Sequence, residues 1–241
     1  MNKTAPATLA RITLSNGEKT VVFQSMMHIA SPGFYDDIKK DMEQLVWQDY
    51  VFFYEWVKPG SEASLEKLSN LVGTDVSPEM YDTLADIAGL SFQGDEIFLN
   101  ILPSVNVDLS TDEIVAIAEK NNIIAPAGEQ AIIIDSVKKY YPTMSPFQKN
   151  IAQVLSRGMM NVLLRTYTSK NFISDIQSEL PVFSILLDER NKNIVQSVID
   201  SPSKKIYIHY GALHFSWVYA ELKKLDPKWE EVARTYYTVI R

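Results

Sequence analysis

The chain has three histidines, His28, His209 and His214, and no cysteine. Disulfides, thiol nucleophiles and thiolate metal sites are excluded, so a bound metal must use histidine, carboxylate, carbonyl oxygen or water. Two of the histidines close similar short segments. Ser25-Met26-Met27-His28 follows a strand-like run ending at Gln24, and Gly211-Ala212-Leu213-His214 follows the run 205–210. Glu55 comes at the end of the apolar run Tyr50 to Tyr54 and just before Trp56. A carboxylate there is costly to ionise unless a cation or hydrogen-bond donors face it. Two imidazoles and one carboxylate suit a three-ligand metal site that keeps positions open for water or substrate. Plainer readings stand beside this one. A histidine near a strand end is commonly a hydrogen-bonded structural residue, and Glu55 could pair with a structural arginine. His209, mid-strand and facing opposite to Tyr210, reads as structural.

These groups can meet only if the elements carrying them are neighbours. Asn16-Gly17 between Arg11 to Leu14 and Thr20 to Phe23 predicts an antiparallel hairpin. From Phe34 to Gln48, Ile38, Met42, Leu45 and Val46 recur at helical spacing, with Asp36 and Asp37 expected at the helix start. Tyr50 to Trp56 has the continuous apolar pattern of a strand buried on both faces, which completes a strand-helix-strand unit. Helices are predicted over 62–71, 78–89, 110–121, 127–140, 146–168 and 181–199, with Pro78, Pro126, Pro142, Pro146 and Pro181 as punctuation. Ser110 and Glu113 fit a capping box. The run 205–210 reads as a strand, 215–225 as a helix and 232–240 as a terminal strand. The expectation is a single α/β domain over 1–241. Its mixed central sheet comes from both chain ends, and residues 62–180 form a helical insertion that could act as a substrate-selecting lid. If the strands ending near His28, Glu55 and His214 are parallel neighbours, all three groups emerge at one carboxyl edge, where open α/β folds place ligands.

Composition narrows the chemistry further. The 241 residues are 46% hydrophobic, which gives ample material for a core. A net charge of −7 opposes binding to nucleic-acid phosphate, and the scattered Lys pairs read as solvated faces. The nine glycines never form G-x-G, and G-x-x-x-x-G-K, G-x-S-x-G and H-E-x-x-H are all missing. No window offers the apolar length of a membrane span, and Met1 to Ala10 lacks the pattern of a secretory signal, so a cytoplasmic protein is expected. The Met26-Met27 and Met159-Met160 pairs, with Trp47, Trp56 and Trp217, are expected to pack in the interior, although Trp56 and Trp217 lie beside site candidates.

Four segments in order, Ser25-Met-Met-His28, the strand carrying Glu55, Asp188-Glu189-Arg190-Asn191 and Gly211-Ala-Leu-His214, resemble the TraB/GumN family, which includes PrgY and the Tiki proteins. The likeness spans about residue 18 to residue 240. Ser25 departs from it, standing where the family's first motif carries glycine. Tiki members are similar to metal-dependent peptidases, which implies a manganese or cobalt ion, with zinc a further candidate, held by His28, Glu55 and His214. Arg190 would then orient a substrate carboxylate or stabilise an oxyanion, unless it serves only as a salt bridge or a surface charge. Glu189 would support catalysis as a partner of an imidazole, or pair with Arg190 or Lys192. Ser25, Gly211 and Asn191 would line the substrate site. TraB and PrgY themselves are associated with peptide-pheromone inhibition, which implies the alternative of peptide or small-ligand binding without turnover. More distant kin resemble erythromycin esterase and the haem-binding ChaN proteins. The expected partners are a peptide or small-molecule substrate and no nucleic acid, with a homo-oligomer left open.

Overall fold

A computed structural model describes residues 6–72, 78–96, 104–123, 139–167 and 181–241. The chain opens with β1 (Thr8–Ser15) and β2 (Thr20–Met26), paired antiparallel from Arg11↔Gln24 to Ser15↔Thr20. The turn is a four-residue loop. Gly17 takes the left-handed φ of +87°, and the Asn16 carboxamide oxygen accepts from the N–H groups of Glu18 and Lys19. After a two-residue strand, β3 (Ile29–Ala30), comes α1 (Pro32–Val46). Pro32 begins this helix two residues ahead of the expected start, because its fixed φ and missing N–H suit the first turn. Asp36 and Asp37 consequently fall in the second turn and pair with Lys39 and Arg241 instead of facing the helix dipole.

Strand β4 (Val51–Tyr54) leads to α2 (Glu62–Val72), α3 (Pro78–Ala88), β5 (Ser91–Phe92), α4 (Gln93–Glu96), β6 (Ser104–Asn106) and α5 (Thr111–Lys120). The capping box closes as predicted: Glu113 N–H donates to Ser110 Oγ at 3.2 Å, and Ser110 N–H donates to Glu113 Oε2 at 2.7 Å. The helix expected over 127–140 lies almost wholly outside the described residues. Next come α6 (Pro146–Tyr167), α7 (Pro181–Asp200), β7 (Lys205–Gly211), α8 (Phe215–Leu225) and β8 (Glu230–Thr238).

The architecture is α/β, with a mixed six-stranded sheet in the order β6-β4-β7-β2-β1-β8. A second, two-stranded sheet pairs β3 with β5. Strand β7 runs parallel to β2 on one side and β4 on the other, so the three strands expected to carry the site are indeed parallel neighbours. Their continuous apolar runs reflect burial on both faces. Val21, Phe23, Phe53, Ile206, Ile208 and Tyr210 face Ile194, Val195 and Val198 of α7 and Val218 and Leu222 of α8. Val22, Phe52 and Tyr207 pack on the other face against Met42, Leu45 and Val46 of α1. The middle of the chain is not purely helical, since β6 adds an edge strand to β4. Three expected core residues are outside: Trp47, at the end of α1, is 89% exposed, and Trp56 and Met159 are also exposed. Met27 and Met160 do pack against the interior. Among the described residues no helix is long and apolar enough to cross a membrane.

Candidate functional site

The parallel register places Glu55 beside the end of β7. Its N–H donates to the His209 carbonyl at 3.0 Å, continuing the ladder by one residue. Alternation along β4 then turns its side chain to the same sheet face as Phe53 and Tyr210, beneath α7. There Oε2 accepts the Gly211 N–H at 2.5 Å and Oε1 accepts Nη2 of Arg190 at 2.5 Å. Gly211 has an ordinary φ of −51°, so its glycine is required by space: a Cβ would stand 3.0 Å from Oε2 and 3.4 Å from His214 Cδ2.

Arg190 is held from a second side by Asp108, which is fully buried. Nε donates to Oδ1 at 2.8 Å and Nη2 to Oδ2 at 2.6 Å, a forked pairing that fixes the guanidinium plane. The guanidinium also lies over the Tyr210 ring, 5.5 Å from its centroid. Burial opposes the charge on Arg190, but Glu55 and Asp108 outweigh it and raise its pKa well above the ordinary value. Burial likewise opposes ionisation of Glu55, and Arg190 together with the Gly211 N–H brings its pKa down to about 2. Nη1 of Arg190 forms no hydrogen bond among the described residues.

His214, at the start of α8, is buried and edge-on to Tyr210. Asn191, one residue beyond Arg190 on α7, has its Oδ1 2.7 Å from His214 Nδ1. With Asn191 so oriented, Nδ1 carries the proton and the Nε2 lone pair faces Glu55 Oε1 at 3.8 Å. Burial, which Glu55 only partly offsets, lowers the His214 pKa to about 3 and keeps the ring neutral near pH 7. His28 is exposed in the short turn between β2 and β3. Its ring lies 4.8 Å from that of Tyr81, which stacks on Phe92, and its carbonyl accepts the Gln93 N–H. Protein crowding around the ring lowers the His28 pKa, with the Glu55 charge acting the other way.

Glu55, Arg190, Gly211 and His214 thus meet at one point, and Asn191 joins them as the partner of an imidazole. Glu189 does not. It is half-exposed and pairs with Lys192 at 2.6 Å. Ser25 is buried on β2 in register with Tyr210, and its carbonyl accepts from Gln24 Nε2 at 3.1 Å. Sequence reasoning missed Asp108, hidden beside the capping box, and Tyr81, whose phenol is close enough to Glu55 for that charge, after burial, to raise its pKa. Among the described residues no three His, Asp or Glu side chains are gathered as a metal ligand set. His214 and Glu55 suit two donors of one ion, but Arg190 donates to the same Glu55 oxygen and His28 does not complete the set.

No family model matches the chain, and neither a curated protein nor a solved structure shows significant similarity to it.

Proposed function

We propose that the carboxyl edge of β2, β7 and β4 is a hydrolytic centre for a peptide or another amide or ester bond. The observation that carries this reading is the meeting of an ionised buried carboxylate and a neutral, lone-pair-bearing imidazole 3.8 Å apart, at the strand ends where α/β folds bind ligands. The resemblance to the TraB/GumN family supports the same centre through four short segments. A divalent ion, manganese, cobalt or zinc, would supply Lewis-acid polarisation of the scissile carbonyl if bound there; His214 and Glu55 are the two residues that would hold it, and His28 would have to move to join them. The chain's own groups act around that point. Asn191 fixes the His214 tautomer, so that Nε2 can hold a ligand or accept a proton. Asp108 and Glu55 immobilise Arg190, whose remaining Nη1 can donate to a substrate carbonyl or its oxyanion. His28 and Tyr81 form the aromatic entrance that an incoming chain meets first.

The test is incubation of the full chain with a peptide mixture and each of the three metals in turn, read by mass spectrometry, alongside metal analysis of protein purified without chelator. Products that disappear with Glu55→Gln and with His214→Ala are expected. No cleavage with any metal, and metal content unchanged by both substitutions, would overturn the reading. Both Glu55 oxygens already hold protein donors, and this favours the second reading, binding without turnover; retained peptide without products would assign the site to it.

A further inference from the structure

Helix α6 carries an apolar face that the hydrolytic reading does not use. Phe147, Ile151, Val154, Leu155, Met159 and Leu163 recur at three- and four-residue spacing and are between 41% and 73% exposed. Gly158 sits among them with open space where a Cβ would be. The helix's opposite side is already engaged: Met160 and Leu164 pack into the interior, Arg157 donates to the carbonyls of Ala88 and Gly89, and Asn161 accepts from the Ala7 N–H. A contiguous exposed apolar stripe of this kind marks an interaction surface.

We infer that this face is the dimer interface with a second copy of the chain, in which two α6 helices pack antiparallel about a two-fold axis at Leu155. Three observations select that occupant. The six side chains expose on the order of 600 Å² of apolar surface, and with the polar residues between them this approaches the roughly 800 Å² that each partner of a stable complex buries. The stripe is symmetric about its midpoint: an antiparallel copy sets Ile151 against the partner's Met159 and Phe147 against the partner's Leu163, as an isologous contact requires. No outward residue from Phe147 to Leu163 is charged, so nothing in the face repels its own copy. The main rival is an anionic lipid surface, which a helix grips with basic residues along its polar side. Here Arg157 is spent on backbone carbonyls, Lys149 lies over Tyr141, and the chain as a whole is acidic.

Sedimentation velocity of the full chain from about 1 to about 100 µM tests this, a range that brackets a micromolar dimer. A particle of twice the chain mass is expected, falling to a single-chain particle in Leu155→Glu and, independently, in Val154→Glu, with unchanged circular dichroism. Since the chain has no cysteine, Leu155→Cys should form a covalent dimer on oxidation, whereas Leu65→Cys, exposed elsewhere, should not. A single-chain particle at every concentration, a dimer that survives both glutamates, or Leu155→Cys without the cross-link would each overturn the inference. So would a single chain that co-sediments with vesicles of phosphatidylcholine and phosphatidylglycerol.

Discussion

His209 and His214 lie five residues apart, both buried and both neutral near pH 7, yet they occupy opposite sides of the sheet and different electrostatic settings. His209 faces the α1 side beside Gln24, its register partner on β2. Its Nε2 is 3.0 Å from Gln93 Nε2, and among the described residues its Nδ1 and the Gln24 Oε1 have no hydrogen-bond partner. Gln93 in turn donates its N–H to the His28 carbonyl, so His209 anchors the loop that carries His28. His214 instead turns a lone pair toward an ionised carboxylate beside a buried guanidinium. A lowered pKa is common to both rings. What separates an anchoring histidine from a candidate reactive one is the charge that its free nitrogen meets.

The sharpest way to break this contrast is Arg190→Met, which strands Glu55 and Asp108 as buried carboxylates. It should cost about 3–5 kcal/mol in urea unfolding, and a loss under 1 kcal/mol would show that the charges on the His214 side are not interdependent. On the other side Gln93→Leu removes the hydrogen-bond partner of His209 and should cost only about 1–3 kcal/mol. Gly211→Ala brings a methyl against Glu55 Oε2 and should destabilise by a similar 1–3 kcal/mol. It should also impair any ligand binding at the site, which Gln93→Leu affects only through the His28 loop.

Acid titration probes what the two rings share. Each has a folded pKa below the unfolded value near 6.5, so the unfolded chain binds protons first. Stability is fully present above pH 6.5 and is lost as pH falls toward about 4 for His209 and about 3 for His214. Each ring contributes a slope of about 1.4 kcal/mol per pH unit inside its window, and His209→Phe should remove one of the two slopes between pH 6 and pH 4. A slope unchanged in that variant would mean that His209 takes up its proton over the same pH range in the folded and unfolded chain. The smallest effect is expected far from both rings, where Ser110→Ala opens the capping box for about 1 kcal/mol and leaves site ligands unaffected.

Much of this arrangement was legible in residue order. The apolar run Tyr50 to Tyr54 reads as a strand covered on both faces and 205–210 as a strand, and the parallel pairing of β7 with β2 and β4 meets the condition under which their carboxyl ends are shared. A glycine before an imidazole at such an end signalled close approach, and Gly211 does admit the Glu55 carboxylate. Asp108 was hidden because its partner lies on a helix far along the chain, and the adjoining Ser110-Thr-Asp-Glu113 already explained local acidity as capping. Three-residue β6 offers too few residues for alternation to show. Glu189 and Asn191 could have been sorted: Leu187, Asn191, Ile194, Val195 and Val198 share the inward stripe of α7, and Glu189 falls on the opposite side. Trp47 stayed outside because it follows the last turn of α1, where the chain departs for β4 and leaves nothing opposite the ring.

The central strand of the sheet, β7, is the next-to-last to be made, and it slots between β2 and β4, which were translated long before. Until it arrives, those two have no hydrogen-bonded neighbour in common, and the acid at the tip of β4 lacks the Gly211 main-chain donor that helps make its burial tolerable. Assembly is thus gated by contacts distant in sequence, the kind that slow folding and tie local order to global completion. Any ligand captured at this edge therefore reports a finished molecule: a chain stopped short of β7 would carry Glu55 and yet lack Gly211 and His214.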